Sequence, residues 1–171
     1  MLLTAYRHRC PYSKSVKMAK KLLILFQADD QRFAISAKHI VEITPLVELI
    51  NVPKTRPYIS GLFNYRGTSI PVIDTNMLLF NKPSSLNICT RIIVLSNSEE
   101  RSPKYVGLIA EKVNKTINAE FSDISNHTLT EEHDAYLGKI FNDHDGEIQI
   151  LDVEKLLPQE ANCLMAAINA T

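Results

Sequence analysis

Tryptophan is absent from this sequence, glycine occurs five times in 171 residues, and cysteine three times. So few glycines leave no P-loop, no dinucleotide-binding fingerprint and no G-x-S-x-G nucleophile elbow, which removes the common phosphate-cradling and acyl-transfer motifs. Cys10, Cys89 and Cys163 are odd in number and far apart, without C-x-x-C or Cys/His ligand spacing. Reduced thiols in a cytoplasmic setting are expected. No apolar run approaches the roughly 20 residues needed to span a bilayer, so direct membrane insertion is not expected. Charge of one sign is also missing from the total, since 19 basic residues balance 19 acidic ones.

That balance conceals an asymmetry. Met1–Lys21 holds six basic residues and no acidic one, which leaves 13 basic against 19 acidic in the rest. An acidic body argues against nucleic acid as a partner, which requires clustered Lys and Arg. Residues 1–17 differ in composition from the remainder of the chain, and Met18 opens the first strand signal. They are expected to form a disordered extension rather than a basic arm.

Ile59–Asp74, ISGLFNYRGTSIPVID, is the most informative stretch. Ile59, Leu62 and Phe63 lead into a polar corner, Asn64-Tyr65-Arg66-Gly67, and Ile70, Val72 and Ile73 lead out, the pattern of a β-hairpin. Gly67 can adopt the positive backbone angle of a tight turn, which holds Arg66 at the outer end where its planar fork can reach a carboxylate.

Further hairpins are predicted from Leu22–Gln27 with Arg32–Ile35, from Arg91–Leu95 with Tyr105–Ala110, and from Tyr136–Phe141 with Glu147–Leu151. Ser36 is expected to cap a helical turn before the Ile40–Ile43 strand, and Asp74 with Thr75 to cap a short helix over 76–80. Lys112–Phe121 reads as a separate, weakly alternating strand, and Asp152 caps a turn stopped by Pro158. Residues 159–171 form a tail or an amphipathic helix carrying Leu164, Met165 and Ile168. Many short strands with few helices indicate a mainly β barrel or sandwich.

Candidate chemistry is sparse. Asp143, Asp145 and Gly146 have the opening of a calcium loop but lack its further oxygen ligands and distal glutamate. His127 and His133, with Glu131, Glu132 and Asp134, have the residue types of a metal site without H-E-x-x-H spacing. A small metal- or ligand-binding β-barrel enzyme using Glu42, His127 and His133 is the alternative to a binding module.

The binding module gains from a resemblance. Phe26–Ile35, the Ile40–Ile43 run, Pro53, the N-Y-R-G-x-x-x-P-V-I-D segment, Val106–Ile109, Tyr136-Leu137-Gly138 and the closing Ile150–Leu157 resemble the CheW-like adaptor family of bacterial chemosensory systems, over about residues 22–158. The resemblance implies a mainly β fold of two interlocked SH3-like five-stranded barrels with short helical turns. It places a single domain at 18–158, with two lobes meeting near 91–104. It further implies no catalysis, no cofactor, and a cytoplasmic adaptor coupling the cytoplasmic tip of methyl-accepting chemoreceptors to a CheA-type histidine kinase. Arg66 matches the family arginine implicated in this coupling, and Glu42 the acid following the receptor-facing position Ile40. Asn64 and Gly67 complete the receptor- and kinase-binding set. Arg66 either grips a partner carboxylate or pairs internally with Glu42. Thr75-Asn76 stands where many adaptors carry Leu-Arg, and the Ser122–Glu132 loop lacks the usual prolines. The G-L-F-N-Y-R-G form is similar to accessory adaptors of surface sensing or motility, so flagellar chemotaxis is one of two expected outputs.

Overall fold

The computed structural model describes residues 20–96, 104–120, 124–125 and 136–156. The expected extension at 1–17, the tail at 159–171, and His127 and His133 lie outside the described residues.

Ten strands form one continuous hydrogen-bonded system: β1 (Lys20–Ala28), β2 (Gln31–Ser36), β3 (Ile40–Pro45), β4 (Ile59–Tyr65), β5 (Thr68–Asp74), β6 (Arg91–Ser96), β7 (Tyr105–Glu120), β8 (Ile124–Ser125), β9 (Leu137–Asp143) and β10 (Gly146–Leu151). The order is β3-β6-β7-β1-β2-β10-β9-β8, with β5 pairing both β4 and β7. These strands make two SH3-like barrels. The chain begins one with β1 and β2, leaves to build the other from β3 to β6, and returns along β7.

Strand β7 is the shared member. Its first half pairs with β6 antiparallel and with β5 in parallel (Ile73↔Leu108), and its second half pairs with β1 (Leu23↔Ile117). Lys112 has φ of 50°, and the β1 register shifts between Leu25 and Gln27 alongside it, so a bulge bends the strand from one barrel into the other. Lys112–Phe121 is therefore not a separate strand: Tyr105–Glu120 runs as a single 16-residue element. A second parallel pairing, β10 with β2 (Ile150↔Ala34), closes the first barrel.

Burial explains the apolar runs. In β6, Ile93 and Leu95 enter the core common to both barrels, with Phe26, Phe33, Ile73 and Leu108, while Ile92 and Val94 face a second cluster with Tyr65, Ile70 and Val72. A strand buried on both faces has no polar side to alternate with, so its sequence reads RIIVL. Phe33 stacks on Phe26 at 5.8 Å and meets Phe80 edge-on at 6.2 Å, which seats the short helix α1 (Thr75–Phe80).

The α1 N-cap is Asp74, as its sequence predicted, with Oδ1 accepting the Met77 amide at 3.1 Å. Ser36 does not cap. The turn it precedes, Ala37–His39, is a single 3-10 turn. Around α1 lies a buried polar network. Asn76 accepts the Asp29 amide at 2.7 Å and donates to Glu111 at 2.8 Å, and Glu111 also accepts the Ser85 amide at 2.7 Å. Asn76 thus ties the β1–β2 turn to β7.

Arg32 on β2 grips Asp143 at the end of β9 through two parallel bonds, 2.7 and 2.6 Å. The Arg32 fork holds the Asp143 carboxyl down at about 2 from 3.8, with the Asp145 amide helping. A depressed carboxyl stabilises the fold above its unfolded value, and that contribution is lost as pH falls through the folded one. Urea midpoints should therefore fall between about pH 4 and pH 2, and Asp143→Asn should flatten that part of the profile. A profile identical in both proteins would contradict this assignment.

Candidate functional site

The candidate site is the outer end of the β4–β5 hairpin and the strand beside it. Both central residues of the turn have positive φ, 50° at Arg66 and 85° at Gly67, the signature of a type I′ connection. Gly67 adopts this freely, whereas an arginine there costs about 1 kcal/mol. Asn64 Oδ1 accepts the Gly67 amide at 2.9 Å and braces the turn.

Glu42 on β3 receives two donors on the same oxygen. The Tyr65 hydroxyl donates to Oε2 at 2.9 Å, and Arg66 Nη2 donates to it at 2.9 Å. The Arg66 guanidinium also lies 5.1 Å from the centroid of the Tyr65 ring, so cation, ring and carboxylate form one stack. Tyr65 is buried and packs on Tyr105 at 5.6 Å. Burial, and then the bond to Glu42, raise its hydroxyl above the ordinary tyrosine value. Arg66 remains 75% exposed and Glu42 40% exposed. Ile40 shares the half-buried face of β3 with Glu42 and packs against the common core, while Val41 and Ile43 point outward, 45% and 40% exposed.

The structure therefore brings Glu42, Asn64, Arg66 and Gly67 together, with Ile40 two residues along β3. Of the two arrangements open to Arg66, the internal pair with Glu42 is the one formed. Sequence reasoning missed Tyr65, which fixes the carboxylate from beneath. Its place inside N-Y-R-G was the available signal, but Glu42 lies 23 positions away, on a strand that pairs with β6 and not with β4.

The expected calcium-loop mimic is a turn. Asp143, His144 and Asp145 could offer ligand atoms within 4.8 Å of one another, but both Asp143 oxygens are taken by Arg32 and Lys115 approaches Asp145 at 3.3 Å. Glu42 is committed to Tyr65 and Arg66 rather than to a metal-binding group. Among the described residues no helix is long and apolar enough to cross a membrane.

Two SH3-like barrels with an exposed, internally braced cation on a hairpin tip are the class of fold and site this chain presents. Residues 22–161 match the CheW-like domain family, to which the chain belongs. It is 26% identical over 149 residues to the chemotaxis protein CheW of Bacillus subtilis (strain 168), covering 86% of this chain and 92% of that one. With CheW of Helicobacter pylori (strain ATCC 700392 / 26695) it shares 27% over 137 residues, 79% and 80% of the two chains. Its fold matches the crystal structure of a scaffolding protein, TtCheW of Thermoanaerobacter tengcongensis, at TM-score 0.68 and 21% identity, covering 85% and 90%. The chain is thus a CheW-family protein rather than the metal- or ligand-binding enzyme built on Glu42, His127 and His133.

Proposed function

We propose that this protein is a cytoplasmic adaptor that couples the tip of a methyl-accepting chemoreceptor to a CheA-type histidine kinase, with flagellar chemotaxis or surface sensing and motility as its output. The Glu42–Tyr65–Arg66 stack carries this reading. An arginine kept at a strained φ and held over an aromatic ring is costly to maintain for a solvated turn, and such strain gathers at functional positions. A receptor-tip helix lays its apolar stripe beside Ile40 while Arg66, presented by Glu42 and Tyr65, meets a carboxylate on that helix. Only Nη2 is engaged internally among the described residues, which leaves the rest of the fork for the partner.

Receptor pull-down with Arg66→Ala tests the proposal. An exposed pair contributes under about 1 kcal/mol to folding, so the melting temperature should stay within about 4 °C. Affinity should fall at least about tenfold. Unchanged binding, or binding lost in step with stability, would reject a direct role.

A further inference from the structure

The chain leaves one barrel for the other through the Ala37–His39 turn, and His39 is the last residue before the strand that carries Ile40 and Glu42. Its side chain is buried, with the residue 7% exposed, yet Nδ1 has no hydrogen-bond partner among the described residues. The ring is therefore held by packing and not by a bond at that nitrogen. Two features give it somewhere to go. A cavity of about 280 Å³ lies beside it, lined by Lys21, Leu23, Lys38, Lys139, Asp152 and Glu154 among others. Glu154 Oε1 stands 3.6 Å from Nε2, beyond hydrogen-bond reach, while it takes Lys38 Nζ at 2.8 Å. The turn at 153–156 that carries Glu154 is anchored by the buried Val153 and Leu156, so the carboxylate is a fixed point and the histidine the movable one.

Charge decides which position the ring takes. Burial, and then the adjacent Lys38 ammonium, oppose the imidazolium and hold the group below the ordinary histidine value, while Glu154, the Ser96 backbone and Asp152 favour it. Lys21 on β1 and Lys139 on β9 are the further charges on the cavity wall. A neutral ring gains from staying in, and a charged one from moving out toward the carboxylate. A ring this enclosed leaves by a shift of its turn, and the Ile40 amide bonds the Ala37 carbonyl, so the shift carries Ile40 with it. We propose that His39 is a proton-operated positioning residue for β3: neutral, it keeps Ile40 seated against the shared core, and protonated, it turns to Glu154 and draws Ile40 off that seat. The proposal rests on the reading of Ile40 as a docking residue and adds a dependence on pH to it.

Methyl and imidazole NMR of the full chain, titrated from about pH 8 to about pH 5, tests this without a partner. The Ile40 methyl should shift with the same midpoint as the His39 ring, and His39→Asn should abolish that shift. Glu154→Gln, on a side chain 53% exposed, removes an attraction for the imidazolium and should move both midpoints to lower pH. An Ile40 methyl that does not follow the ring, or that titrates unchanged in His39→Asn, overturns the proposal. Where His39→Asn does not fold, Glu154→Gln decides: a His39 midpoint that moves while that of Ile40 stays overturns it equally. Binding of a soluble cytoplasmic fragment of a methyl-accepting receptor is then measured over the same range. One pH unit below the His39 midpoint, affinity should be about tenfold weaker than on the neutral plateau, as the competent fraction falls. The same loss in His39→Asn would belong to the receptor fragment and overturn the proposal. A fragment that binds at no pH rejects the docking reading instead, and the coupled titration of His39 and Ile40 still decides the switch.

Discussion

Asp74→Ala is expected to lower the unfolding free energy by about 3 kcal/mol, read as a drop in urea midpoint at unchanged slope. Asp74 is buried, and each of its oxygens is shared out. Oδ1 takes the Met77 amide at 3.1 Å and the Ser84 hydroxyl at 2.6 Å, and Oδ2 takes the Ser84 amide at 2.9 Å. Alanine removes the cap, worth about 1 kcal/mol, and strands the Ser84 amide and hydroxyl in a site closed to water, where each unsatisfied group costs about 1–3 kcal/mol. Relaxation of the Ser84 hydroxyl recovers part of that sum. Asp74→Asn separates the two contributions, because it keeps an acceptor for the Met77 amide but presents a donor to one of the Ser84 groups. It should cost about half as much. If alanine and asparagine were equally mild, Asp74 would be a surface cap and the Ser84 contacts incidental.

Asp74 also shows which features could be read in the sequence. Its cap lies three residues from the amide it serves, and the hairpin corner is closed within Asn64–Gly67; both are local, and both appeared as expected. The barrels themselves came from resemblance, since alternating runs define strands but not their partners. The parallel pairs β5–β7 and β10–β2 join segments 35 and 116 positions apart at Val72–Gly107 and Phe33–Gln149, and no local pattern specifies them. Strand β7 reads as two strands in the sequence because its bulge at Lys112 interrupts the alternation where the strand changes barrels. The Asn76–Glu111 bond was hidden for the same reason. In sequence, Asn76 is only an unusual residue after the cap; the buried carboxylate it serves is 35 residues away.

Gly61→Ala should cost more than Gly67→Ala, although both glycines lie in the same hairpin and both have positive φ, 147° and 85°. At Gly67 an added Cβ meets nothing within 4 Å, so the cost is conformational, about 1 kcal/mol. At Gly61 it would sit 2.6 Å from the Ile50 carbonyl oxygen and 3.1 Å from Leu49 Cβ. That oxygen accepts the Leu62 amide at 2.8 Å, while the Ile50 amide donates to Leu62 O at 2.9 Å, and these paired bonds strap the segment after β3 across the β4 edge. The β4–β5 register also shifts between Ile59 and Gly61, so the strand bulges where the strap crosses it. A methyl group must push the strap away, breaking both bonds as well as straining φ, for a total of about 3 kcal/mol. Hydrogen exchange locates the damage: protection of the Ile50 and Leu62 amides should collapse in Gly61→Ala and survive in Gly67→Ala. If the two variants lost similar stability with both amides still protected, the strap would not be what requires glycine at position 61.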